Sequence, residues 1–174
     1  MDSYELKFTI LQQRILNLLF DYPTTVFNQQ DIAKKLRVSP TAVAKAFKPL
    51  QKRAFLTIKK EFPLAITLHG AHHEQKRVAN LGKIYSSGFF RFLDEHHPGA
   101  TIVLFGSYAR GEDIEKSDID IAIVGSHEKQ LSLALFEKML VRTINIQYFS
   151  HWDISKNLKE SIINGIVLKG HIEL

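Results

Sequence analysis

Phe8, Leu11, Ile15, Leu18 and Leu19 recur at helical spacing and predict an amphipathic first helix, which Asp21-Tyr22-Pro23 stops. A short extended piece at 25–27 follows. Asn28 is positioned to cap a second helix carrying Ile32, Ala33 and Leu36, and Val38-Ser39-Pro40 supplies a turn, a new cap and a proline for the first position of a third. In that third helix Val43, Phe47 and Leu50 share one face while Thr41, Lys45, Lys48 and Lys52 share the opposite one. Pro49 removes a main-chain hydrogen bond, so a kink or an end is expected near it. Two short strands, 55–60 and 64–68, should then flank a turn at Glu61-Phe62-Pro63.

The pattern changes after His69-Gly70, and the domain boundary is placed there: residues 1–70 and residues 71–174. A long helix over 72–97 is predicted from Val78, Leu81, Tyr85, Phe89 and Phe92 or Leu93, with Pro98-Gly99 ending it. Strands are expected at 102–105, 119–124, 143–149 and 166–168, with helices at 131–140 and 154–163. The fold class is therefore α+β, with a mixed sheet flanked by helices in the second domain.

Charge separates the same two regions. Residues 1–70 hold 11 Lys+Arg against 5 Asp+Glu, whereas 71–174 hold 12 against 13. The formal net charge of +5 thus resides in the first region, the electrostatic footprint of a nucleic-acid binder. No apolar run approaches the roughly 20 residues of a membrane span, and the start MDSYELKF lacks a signal-peptide pattern. A soluble, cytoplasmic protein with no membrane partner is expected. The absence of cysteine excludes disulfides, thiolate nucleophiles and thiolate metal sites.

Between Lys34 and Lys60 lie nine Lys+Arg and no acidic residue. The third helix has an apolar back and a basic front, and residues 4–68 as a whole resemble a winged helix-turn-helix domain, in which that helix enters the major groove of duplex DNA. The resemblance implies that Thr41 and Lys45 lie near base edges, Lys48 and Lys52 near phosphates, and Lys59-Lys60 in the wing. Docking of a protein partner or dimerisation is the alternative use of such a domain.

The richest chemistry lies in 101–124. An apolar strand runs into Gly106-Ser107, ten residues intervene, and Asp118-x-Asp120 opens a second apolar strand. Glycine lets a phosphate approach the backbone, and Ser107 can hydrogen-bond phosphate oxygens. Carboxylates two residues apart in a strand share a face and can share a hard divalent cation. The wording GSYARGEDIEKSDIDIAIV resembles the nucleotidyltransferase family that includes DNA polymerase beta and the minimal nucleotidyltransferases. That resemblance runs from about residue 72 to the end, with Asn164-Gly165-Ile166-Val167-Leu168 as the closing segment.

What the resemblance implies is transfer of a nucleoside monophosphate from an NTP to an acceptor hydroxyl. Gly106 and Ser107 would bind the nucleotide, and Asp118 and Asp120 would be catalytic as ligands of Mg2+ or Mn2+. Arg110 either neutralises phosphate charge or braces the loop through Glu112 or Glu115. The family adds a third carboxylate from a following strand. Here that strand offers Asn145, the matching position, and Gln147, both amides that cannot act as a general base at neutral pH. Three readings follow: a nucleotidyltransferase, a DNA-binding regulator whose transferase fold senses nucleotide, and an antitoxin-like protein acting beside a small helical partner. The pairs His72-His73 and His96-His97 are read as solvated helix ends rather than metal ligands.

Overall fold

The computed structural model describes residues 8–59, 63–70, 72–151 and 155–172. The chain forms two compact units, Met1–His72 and His73–Leu174. In the N-terminal unit α1 (Ile10–Asp21) begins at a reciprocal cap: Thr9 Oγ1 accepts from the Gln12 amide, and Gln12 Oε1 accepts from the Thr9 amide. Asn28 and Asp31 repeat the device at the start of α2 (Gln29–Leu36). Ser39 caps α3 (Pro40–Lys52), with Pro40 in the first turn. α3 ends three residues after Pro49. The proline removes one amide close to the helix end, and its own carbonyl still accepts from Arg53, so the helix closes normally at Lys52.

β1 (Leu56–Lys59) and β2 (Ala65–Leu68) pair antiparallel, Leu56 opposite Leu68. Phe27 joins them through a bridge to Ile66, with reciprocal main-chain bonds of 2.9 and 2.7 Å. Ile15, Leu19, Ile32, Val43, Leu50 and Ile66 are fully buried beneath these elements. Lys60, Glu61, Phe62 and Ile154, which the sequence reading assigns to a strand, a turn and a helix, lie outside the described residues.

In the C-terminal unit the predicted helix 72–97 is two helices, α4 (His73–Ser86) and α5 (Phe89–His96). Gly88 breaks it with φ +79°, and Ser87 Oγ accepts the Phe89 amide. The buried stripe of α4 also differs from the expected one. Lys76, Asn80 and Ile84 face inward while Val78 and Tyr85 are exposed, because a buried polar cluster described below recruits the first two.

The sheet contains β3 (Thr101–Phe105), β4 (Ile119–Val124), β5 (Ile144–Phe149) and β6 (Ile166–Lys169) in the order β5-β4-β3-β6. β3 is antiparallel to β4 and β6, whereas β4 and β5 are parallel. A short α6 (Gly106–Arg110) follows β3 directly, and α7 (Ala134–Leu140) links β4 to β5. α7 starts later than predicted: Leu131 and Leu133, two residues apart, reach the core from irregular chain before it. On one sheet face Ile102, Leu104, Ile119, Ile121 and Ile123 meet Ile84, Phe89 and Leu93. On the other, Val103, Phe105 and Ala122 pack under Ile162 of α8 (Lys156–Ile163). Strand alternation thus assigns Asp120 to the α8 side of the sheet.

Candidate nucleotide site

Gly106 is the turn between β3 and α6, at φ +75°. A Cβ there would collide with Asp120 Oδ2, so the missing side chain is what lets a carboxylate lie against the start of α6. The sheet register explains the encounter, since Asp120 sits between Phe105 on β3 and Asn145 on β5. Asp118 immediately precedes β4 and is exposed, while Asp120 and Ser107 are half-buried. Ile119 N–H donates to Thr143 O at 2.8 Å, fixing the entry of β4 beside β5.

Asn145 stands beside Asp120, and its Nδ2 donates to Asp120 Oδ1 at 3.0 Å. The amide therefore occupies the strand position next to the second aspartate. Gln147 is two residues further along, opposite Ala122. Of the two roles left open for Arg110, the structure displays the bracing one: its Nε donates to Glu112 Oε2 at 2.6 Å, with both side chains well exposed.

Asp120 lies against the Cβ-free turn and Asp118 is two residues before it on the chain, oxygen donors of the kind a hard cation takes. Among the described residues no group of three or more His, Asp or Glu side chains gathers into a cage.

The sequence reading missed a buried cluster around Asp113. Lys76 and Asp113 form an ion pair of 2.9 Å, and Arg142 Nη2 reaches Asp113 Oδ2 at 3.0 Å, all three side chains being almost fully buried. Asn80 Nδ2 donates to Asp113 Oδ1 at 2.8 Å and to Tyr108 O at 3.0 Å. Lys76 also donates to Asp113 O. Burial lowers the Lys76 pKa, with Asp113 opposing that shift. The available signal was the spacing of Lys76, Asn80 and Ile84 along one helix face, which a search for apolar residues alone passes over.

His97 corrects the reading of solvated histidines. It is fully buried, with Nδ1 3.0 Å from Ser126 Oγ and its ring against Tyr148. Burial pushes its pKa down, helped by the neighbouring Lys129 and His96, and burial raises that of Tyr148. His73 Nδ1 lies 3.0 Å from Gly111 O, and His72 stacks on Phe55.

In the N-terminal unit Thr41, Lys45, Lys48 and Lys52 are all exposed on α3, opposite buried Val43, Phe47 and Leu50, and Lys59 is exposed at the end of β1. Lys60 is not among the described residues.

Residues 86–165 match the model of the nucleotidyltransferase domain. A relative from Methanocaldococcus jannaschii, named "Putative protein adenylyltransferase", is 36% identical over 74 residues, covering 41% of this chain and 74% of the relative. The chain belongs to the nucleotidyltransferase family. The matched span contains Gly106, Ser107, Asp118, Asp120 and Asn145. Two mutant structures of Lactococcus lactis ZitR share 21% and 23% identity, covering 57% and 55% of this chain and 68% and 62% of theirs, with TM-scores of 0.44 and 0.36. At that level of similarity they establish nothing about this chain. No helix among the described residues is long and apolar enough to cross a membrane.

Proposed function

We propose that the C-terminal unit binds an NTP with Mg2+ or Mn2+ and transfers its nucleoside monophosphate to an acceptor hydroxyl. The observation that carries this reading is the Asp120 carboxylate lying against the Cβ-free Gly106 turn, with Ser107 and Asp118 beside it in sequence. Asp118 and Asp120 hold the cation, which when bound supplies positive charge to the triphosphate and the reacting oxygens. Gly106 admits phosphate close to the main chain, and the Ser107 hydroxyl and amide bond its oxygens. In the reaction an acceptor oxygen bonds to the α-phosphorus, the bond from that phosphorus to the pyrophosphate oxygen breaks, and the acceptor proton leaves to solvent. Asn145 cannot take that proton, so transfer is slow by the roughly 10²–10⁴ that general-base assistance supplies.

The M. jannaschii relative bears the name of a protein adenylyltransferase, which makes ATP and a protein hydroxyl the first substrates to try. Incubation with each radiolabelled NTP, Mg2+ or Mn2+, and candidate protein and RNA acceptors tests the reading. Label should pass to one acceptor class and require Asp118 and Asp120; label that persists in Asp118→Asn/Asp120→Asn refutes it.

A second reading rests on Asn145 itself, an amide hydrogen-bonded to Asp120. In this reading the unit senses nucleotide and the N-terminal unit, a winged helix-turn-helix, binds duplex DNA through Thr41, Lys45, Lys48, Lys52 and Lys59. Three capped helices followed by a hairpin, with an exposed basic front on α3, support it. Replacing Lys45, Lys48 and Lys52 by Gln removes three positive charges that release counterions from the duplex. The slope of log K against log salt should then flatten by about 2.7, and an unchanged slope in an anisotropy titration would rule out this DNA face.

A further inference from the structure

Tyr108 and Ala109 are buried in the core, but from Arg110 to Ser117 the stretch between the two halves of the motif has no buried apolar side chain, yet it is held at both sides. Gly111 passes so close to the first turn of α4 that a Cβ would collide with His73 O, and His73 Nδ1 meets Gly111 O. Two residues on, Asp113 is gripped by Lys76 and Asn80 from α4 and by Arg142 from the residue pair that precedes β5. Asn80 also holds Tyr108 O of α6. The Asp113 carboxylate thus ties α4 to the connecting chain and the entry of β5, and Asn80 extends the tie to α6, in the segment of chain that joins Gly106-Ser107 to Asp118-x-Asp120.

Stability alone does not account for such a cluster. Buried ions cost several kcal/mol each in lost hydration, and apolar replacements of similar volume are often as stable or more so. What directional bonds provide and apolar contacts do not is a single register. We propose that Asp113, held by Lys76, Asn80 and Arg142, is a positioning residue that sets the Gly106-Ser107 turn against the Asp118-x-Asp120 strand, an inference that rests on the nucleotide-site reading above.

Asp113→Asn keeps the shape and the contacts to Asn80 but removes the charge between Lys76 and Arg142. Lys76→Met keeps the stem and leaves the Asp113–Arg142 pair, so it serves if Asp113→Asn does not fold. Two quantities are measured on the full chain where circular dichroism shows each variant folded: affinity for Mn2+-ATP by calorimetry, and amide exchange over 106–120. Supporting-shell substitutions typically cost about 10–100-fold in metal affinity or activity. Mn2+-ATP affinity should fall by about that factor, with faster exchange confined to 106–120. Wild-type affinity and wild-type exchange in a folded variant would overturn the proposal and leave the cluster a purely structural role. If wild type itself binds no Mn2+-ATP, the nucleotide reading fails, and exchange over 106–120 alone decides whether Asp113 positions this segment.

Discussion

Adding one methyl group at Gly106 tests the geometry of the site without touching a charged residue. Two costs follow from the structure. An alanine at φ +75° pays about 1–2 kcal/mol for the left-handed backbone. Its Cβ also meets Asp120 Oδ2, so the carboxylate must swing aside and give up the Asn145 bond, roughly 0.5–1.5 kcal/mol for a hydrogen bond. The total is about 1.5–3.5 kcal/mol. Gly99 supplies the control, since it has φ +80° and nothing within 4 Å of a built Cβ, so Gly99→Ala pays the backbone cost alone. Urea denaturation of the full chain followed by circular dichroism reads both losses. Gly106→Ala should be the more destabilised of the two, and Asp120→Ala combined with it should recover the difference. Equal losses for the two alanines, or strict additivity with Asp120→Ala, would mean that Gly106 and Asp120 do not meet as described.

Asn145→Asp places a carboxylate beside Asp120. Two neighbouring carboxylates repel unless a cation or proton intervenes, so this variant should be less stable than wild type in EDTA, while NTP labelling of a bound acceptor rises by as much as about 10²–10⁴. Labelling no better than wild type would refute the assignment of Asn145. His97 gives a pH signature. Its folded pKa lies below the ordinary histidine value because of burial, so on acidification the unfolded chain takes up a proton that the folded one refuses. Stability should then fall as pH drops below about 6.5, with a slope of at most about 1.4 kcal/mol per pH unit. His97→Gln should flatten that slope in urea denaturation series, and an unchanged slope would show that His97 does not titrate as described.

Elements whose causes are local were legible. Asn28, Ser39 and Pro40 announce helix starts through caps that need no tertiary partner, and Ile119, Ile121 and Ile123 alternate with Asp120 as any half-buried strand must. Placing Asn145 beside Asp120 was within reach for the same reason, since counting from the aspartate strand and its successor fixes which residues share a face. What failed needed long-range information. Lys76 and Asn80 face inward only because Asp113, 37 and 33 residues away, gathers them, and His97 is buried only because Ser126 and Tyr148 come to meet it. The break at Gly88 was visible as a glycine, but the apolar residues on either side continued the helical period across it.

Thermal unfolding with and without ligand tests most directly whether Asp118 and Asp120, with the Gly106-Ser107 turn, form one site for a metal-bound nucleotide. Ligand that binds only the folded state stabilises it by about 2.7 kcal/mol at one hundred times its Kd, and each kcal/mol moves the midpoint of a domain near 100 residues by roughly 4–8 °C. Mn2+ with ATP, GTP, CTP or UTP should therefore raise the wild-type Tm by about 10 °C or more for at least one nucleotide at saturation. Mn2+ alone should do far less, since two carboxylates without phosphate oxygens make a poor cage. Asp118→Asn/Asp120→Asn should lose the shift. A shift of the same size in that variant, or none in wild type with any of the four nucleotides, would contradict the account.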